Sequence, residues 1–134
     1  MSVVGLDHVA IAVSDIQKTL ALLGGQLGLE VEEVRESVAF NMNLSFVTRD
    51  GVRLLELIEI KGPSSLSPFA PEKLPALHHI ALQVKDIEGT IGELGAHGMK
   101  PVDEKPVQGR TSRLAFINPN TTGGLMLELV ERPE

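Results

Sequence analysis

The chain repeats itself, and the repeat carries polar as well as apolar residues. Gly5-Leu-Asp-His-Val-Ala-Ile-Ala-Val-Ser-Asp-Ile reads against Ala76-Leu-His-His-Ile-Ala-Leu-Gln-Val-Lys-Asp-Ile at an offset of 71 residues, 8 to 79. Leu54-Leu-Glu-Leu-Ile-Glu59 reads against Met126-Leu-Glu-Leu-Val-Glu131 at an offset of 72, 56 to 128, so one inserted residue separates the two registers. A duplicated unit therefore contributes His8 and Glu56 from one copy and His79 and Glu128 from the other. Packing alone would require only the apolar positions to recur. Polar residues that recur at buried-looking strand positions need a further reason.

With 134 residues, 43% of them apolar, the chain can build one compact core, whereas either half alone would be marginal. The expectation is a single domain, 1–134, made of two modules. The absence of cysteine excludes disulfides, thiolate catalysis and zinc–thiolate sites, and is compatible with the cytoplasm. Nothing at Met1-Ser-Val-Val-Gly5 resembles an export signal, and no apolar run approaches the ~20 residues of a membrane span, so a soluble, cytoplasmic chain without membrane partners is expected. A net charge of −6, four aromatic residues and no clustered Lys/Arg face argue against nucleic-acid binding.

Each module reads as β-α-β-β-β. Leu6 to Val13 alternates as a strand, with Leu6, His8, Ala10 and Ala12 sharing one face. Ser14-Asp-Ile-Gln17 predicts a capping-box helix start, followed by Ile16, Leu20 and Leu23 at helical spacing and a Gly24-Gly25 stop. In the second copy, Ile87, Ile91 and Leu94 mark the helix face, and Gly95 and Gly98 end it. Strand-rich segments follow at Leu29 to Val34, Val38 to Thr48 and Val52 to Ile60, then at Val102, Leu114 to Asn118 and Leu125 to Val130. Asp50-Gly51 predicts a hairpin turn. Module one spans about 4–60 and module two about 76–131, joined by a proline-rich linker over about 61–75.

Glu56 and Glu128 both fall in the middle of apolar strands, Glu56 with Leu54 and Ile58 on its own face. An ionised carboxylate there costs several kcal/mol unless it is paired or bound to a cation. No Lys or Arg recurs beside both, but His does. If the modules pack with pseudo-twofold symmetry, His8, Glu56, His79 and Glu128 converge as two nitrogens and two oxygens, a set suited to zinc, cobalt, nickel, iron or manganese. His78 lies on the opposite strand face from His79, with Asp7 at its position in the first copy, and reads as structural or as a support behind the ligands. His97 sits at a helix end, where histidine commonly complements the dipole, and takes no function.

The paired strands, the duplicated modules and the Thr121-Thr-Gly-Gly-Leu-Met-Leu-Glu-Leu-Val-Glu131 ending resemble the vicinal oxygen chelate superfamily, also called the glyoxalase/bleomycin-resistance fold. The resemblance covers almost the whole chain. Within that superfamily the double His, the Asp103-Glu-Lys-Pro106 segment and the Gly123-Gly124 close before Glu128 are most similar to the methylmalonyl-CoA epimerases. The resemblance implies an α+β fold whose two modules curl a sheet around a metal cleft, with His8, Glu56, His79 and Glu128 as ligands of a divalent ion. It implies an isomerase moving a proton beside a carbonyl, with Glu56 and Glu128 as the acid–base pair. The sequence departs from the epimerase pattern at Leu22-Leu23, Gln108 to Arg113 and Asn118-Pro119, and it lacks the separate acidic base of some epimerases, whose position falls near Leu44-Ser45. A glyoxalase I-type lyase, a ring-cleaving dioxygenase and a metal-free binding module stay open as alternatives. The substrate implied is a small molecule, possibly an acyl-CoA, with Lys73, Arg110 and Arg113 available for its phosphates, though solvated charge is their commoner role. A homodimer is expected, because so small a chain must cover its sheet edges.

Overall fold

The computed structural model describes residues 3–133; the reading of Met1 and Ser2 as the start of an unexported chain, and the domain bound at Glu134, lie outside the described residues. The fold is α+β, with a mixed sheet and few helices. The chain divides into two compact units, one running from His8 to His78, the other joining the residues through Asp7 to those from His79 onward.

In the His8–His78 unit the strands lie in the order β2-β4-β5-β1, with β3 on β4. Strand β1 (Val3–Ala12) runs parallel to β5 (Val52–Ile60), and β4 (Met42–Arg49) pairs antiparallel with β5. Short β2 (Glu30–Val31) and β3 (Arg35–Ser37) both pair with β4, so this unit carries one strand more than the β-α-β-β-β expectation. The turn between β4 and β5 places Asp50 at φ 52° and Gly51 at φ 79°, the paired positive values of a tight hairpin turn.

Helix α1 (Ile16–Leu20) starts differently from the predicted Ser14/Gln17 box. Asp15 is the cap, accepting the Lys18 N–H at 3.1 Å, and the Ile16 N–H donates to Glu59 Oε2 at 2.9 Å. The helix does not stop at Gly24-Gly25 either; it widens into a π-helical stretch over Ala21–Gln26 and ends before Gly28, at φ 74°. Gly24 serves a close approach instead, since a Cβ there would lie 3.2 Å from Val31 Cγ1. Beneath α1, Val13, Ile16, Leu20, Val47 and Leu57 form the unit's core.

The other unit repeats the scheme in the order β6-β9-β8-β7. Strand β6 (Ala76–Val84) runs parallel to β9 (Leu127–Glu131), which pairs antiparallel with β8 (Arg113–Ile117), followed by β7 (Val107–Gln108). Asp86 caps α2 (Ile87–Ala96) by accepting the Gly89 N–H at 3.1 Å, and the Ile87 N–H donates to Glu131 Oε2 at 2.9 Å. Its end falls as expected, with His97 at the cap and Gly98 at φ 85°. Val84, Ile87, Ala115, Ile117 and Leu129 make the core. Val13 with Val84, Ile16 with Ile87 and Leu57 with Leu129 are matched positions of the repeat. Leu57 and Leu129 are each 2% exposed, so each contributes about 1.5–3 kcal/mol by burial.

The segment read as a linker includes a 3-10 turn at Ser67–Phe69, and Leu66 within it is buried. Among the described residues, no helix is long and apolar enough to cross a membrane.

Candidate metal centre

Parallel pairing of β1 with β5 sets Ala10 opposite Glu56, and alternation along β1 puts His8 and Ala12 on that same face. Ala10 and Ala12 are buried and small, which leaves room over the strand for the larger His8 and Glu56 side chains. Across β4, Glu56 faces Phe46, whose ring meets the His8 imidazole edge-on at 5.3 Å and 86°. His8 and Glu56 are 5% and 8% exposed, and His8 Nε2 stands 3.3 Å from Glu56 Oε1.

The second unit builds the same arrangement from the matching residues. Ala81 lies opposite Glu128 on β9, Phe116 faces Glu128 across β8, and His79 meets Phe116 at 5.0 Å and 84°. His79 and Glu128 are 1% and 5% exposed, with His79 Nε2 3.4 Å from Glu128 Oε1. The repeat thus reproduces a complete microenvironment: an imidazole, a carboxylate, an aromatic wall and a floor of alanine.

Both nitrogen–oxygen separations exceed the ~2.7–2.9 Å of a charge-assisted N–H···O bond. Two donor atoms each ~2.0–2.2 Å from one cation stand roughly 3.0–3.5 Å apart, so each pair has the bite of a ligand edge. Neutral imidazole and ionised carboxylate are also the donor types a borderline divalent ion takes. The residues present therefore fit such an ion.

His78 points away from His79, into a pocket lined by Phe40, Met42, Ile60, Ser64, Leu66 and Ser67. That placement supports the structural side of its reading. Asp7, at the matching position, has a side chain only 4% exposed, which accepts two bonds from Arg132 at 2.7 and 2.8 Å. Hydrogen bonding to Asp7 raises the Arg132 pKa, burial opposes it, and Glu128 adds a smaller Coulombic pull. Of the three cations considered for phosphates, Arg113 is committed elsewhere: it binds Glu88 and, at 3.3 Å, Glu131, and the Glu88 bond in particular raises its pKa.

Reading the sequence for function missed Glu59 and Glu131, which hold the first N–H of each helix. Their signal was their recurrence at the same offset as Glu56 and Glu128. It also missed Arg53, whose guanidinium carbon stands 3.7 Å over the Phe46 ring.

Residues 7–116 match the family described as the Glyoxalase/Bleomycin resistance protein/Dioxygenase superfamily. The mitochondrial methylmalonyl-CoA epimerase of Dictyostelium discoideum is 29% identical over 130 residues, covering 95% of this chain and 78% of that protein. The crystal structure of methylmalonyl-CoA epimerase from Mycobacterium tuberculosis superposes with a TM-score of 0.84 at 26% identity, covering 98% of this chain and 90% of that one. A Streptomyces coelicolor methylmalonyl-CoA epimerase variant in complex with 2-nitronate-propionyl-CoA superposes with a TM-score of 0.83 at 25% identity, over 98% and 96% of the two chains.

Proposed function

Because the chain belongs to the glyoxalase/bleomycin resistance/dioxygenase superfamily, we propose that it is a metal-dependent epimerase that moves a proton beside the carbonyl of an acyl-CoA such as methylmalonyl-CoA. The observation that carries this reading is the duplicated, buried His–Glu pair, His8 with Glu56 and His79 with Glu128, at matched strand positions. The likeness to methylmalonyl-CoA epimerases, one of them holding an acyl-CoA analogue, supports the reaction class and substrate.

In this reading His8, Glu56, His79 and Glu128 hold one divalent ion: cobalt, nickel, zinc, manganese or iron. Bound there, the ion supplies Lewis acidity toward a carbonyl oxygen, which lowers the barrier to losing the neighbouring proton. Glu56 and Glu128 are the acid–base pair. One carboxylate accepts the proton from carbon and the other returns it, which inverts the centre if they serve opposite faces. Phe46 and Phe116 hold the imidazoles by edge contact, and the alanines beside them leave space for a small acyl group. A homodimer working in the cytoplasm completes the proposal. Exposed apolar side chains on β1, with Val4 at 53% and Leu6 at 62%, support self-association.

Elemental analysis of the purified protein tests the ligand set. Wild type should carry about one divalent ion per chain, and His8→Ala and His79→Ala should each lose it while keeping the wild-type circular dichroism. Full occupancy in both variants would overturn the assignment.

A further inference from the structure

Helices α1 and α2 are copies of one another, and they differ on the outward side. Ile16 with Ile87, Leu20 with Ile91 and Leu23 with Leu94 occupy matched positions and pack inward in both. Each helix is then left through the same kind of bond, from the Leu29 N–H to the Leu23 carbonyl at 2.9 Å and from the Met99 N–H to the Leu94 carbonyl at 3.0 Å. The first bond spans six positions, 23 to 29, and the second five, 94 to 99. The first copy therefore carries one extra residue, which the π-helical stretch Ala21–Gln26 takes up. Counted from the helix start, Leu22 matches Glu93; counted from the helix end, the cap residue Leu27 matches the cap residue His97. All four are exposed, so where the second copy shows solvent a carboxylate and an imidazole, the first shows it two leucines, at 45% and 64% exposure.

Val31 extends this apolar surface. It pairs with Val47, a core residue beneath α1, so it faces the helix side of the sheet, and it is 41% exposed. The Leu27 N–H donates to the Leu22 carbonyl at 3.0 Å and Gly24 abuts Val31, which ties the three side chains to one locality. In chain order the surface begins at exposed Lys18, passes Leu22, Leu27 and Val31, and ends among the exposed carboxylates of Glu30, Glu32 and Glu33. Glu30 accepts the Asp50 N–H at 3.1 Å, and among the described residues no Lys or Arg pairs with Glu32 or Glu33. We propose that this surface docks a segment of another protein that presents apolar side chains flanked by Lys or Arg. The leucines supply anchors and the glutamates supply complementary charge. A second copy docked here about a twofold axis would turn Glu30, Glu32 and Glu33 toward their own counterparts, and an anionic membrane would meet the same repulsion. Singly scattered apolar residues need no such reason, but three in one locality, set against polar counterparts in the repeat, do. The proposal stands apart from the epimerase reading.

The test titrates the full chain with a synthetic amphipathic helical peptide of leucine and lysine, and with its counterpart carrying glutamate for lysine, while amide NMR signals are followed. The lysine peptide should shift the amides of Leu22, Leu27, Val31 and their neighbours, and should bind more weakly as salt is raised. Leu22→Glu combined with Leu27→His installs the second copy's residues at exposed positions. It should weaken binding at least about tenfold with the melting temperature unchanged. Glu32→Lys combined with Glu33→Lys should weaken the lysine peptide and strengthen the glutamate peptide. Absence of shifts at these amides, equal affinity in the Leu22→Glu, Leu27→His variant, or equal binding of the two peptides by wild type would overturn the inference. Sedimentation of the same variant keeps the occupants apart. An oligomeric state equal to that of wild type is expected, and a lower one would give the surface to a second copy and overturn the proposal.

Discussion

Replacing Arg132 with methionine should destabilise the protein more than any other single surface-to-core change of charge. The Asp7 side chain is 4% exposed and receives both bonds from Arg132, at 2.7 and 2.8 Å, across 125 residues of sequence. Breaking a buried ion pair by removing one partner costs about 3–5 kcal/mol. Arg132 is 27% exposed, so solvent screens its end of the pair and the lower bound applies, about 3 kcal/mol for Arg132→Met. Asp7→Asn leaves the better-solvated partner, Arg132, as the unpaired charge and should cost less, about 1–2 kcal/mol. For a chain of this size about 3 kcal/mol corresponds to a fall in melting temperature on the order of 10 °C. Urea unfolding read by circular dichroism is the assay, because the chain contains neither Trp nor Tyr. Hydrogen bonding to Asp7 raises the Arg132 pKa above the ordinary guanidinium value, so its contribution is fully present below that ordinary value and is lost only as pH rises through the still higher folded one. The difference between wild type and Arg132→Met should therefore stay flat from neutral pH to about pH 10. A cost below about 0.5 kcal/mol for Arg132→Met, or a coupling energy near zero in the cycle with Asp7→Asn, would refute the reasoning.

Three further substitutions test helix α2 and its anchors. Glu131→Ala removes the acceptor of the Ile87 N–H and one partner of Arg113, and should cost about 1–2 kcal/mol by the same unfolding assay; no change would mean that water replaces the anchor fully. Gly92→Ala adds a Cβ into open space within α2 and should gain about 0.5–1 kcal/mol, whereas Gly89→Ala drives its Cβ into the capping Asp86 carboxylate and should gain nothing. Equal melting temperatures for the two would contradict the capping role of Asp86.

The repeat made much of this legible beforehand. His8 with His79, and Glu56 with Glu128, stand out because polar residues at apolar strand positions have no reason to recur by packing alone. Asp50-Gly51 was readable because few residue pairs accept two positive φ values in succession. What stayed hidden depends on pairing between distant segments. The bulge at Leu54 is a property of the β4–β5 register, and without it Arg53 reads as a residue of the opposite face. Asp7 and Arg132 lie at opposite ends of the chain, and their counterparts in the repeat, His78 and Ile60, are no ion pair, so recurrence gave no clue. The start of α1 lies one residue beyond the predicted one for a related reason. Ser14 and Asp15 are both good caps, and the choice of Asp15 agrees with Glu59 holding the next N–H from 43 residues away.

The central claim is tested most directly by following the 2-position of methylmalonyl-CoA by proton NMR in heavy water with the metal-loaded protein. Deuterium should enter that position catalytically, and Glu56→Gln and Glu128→Gln should each lower the exchange rate by at least a hundredfold. A metal-loaded wild type that exchanges no deuterium would contradict the epimerase account and move the substrate search toward hemithioacetals and other chelating carbonyl compounds.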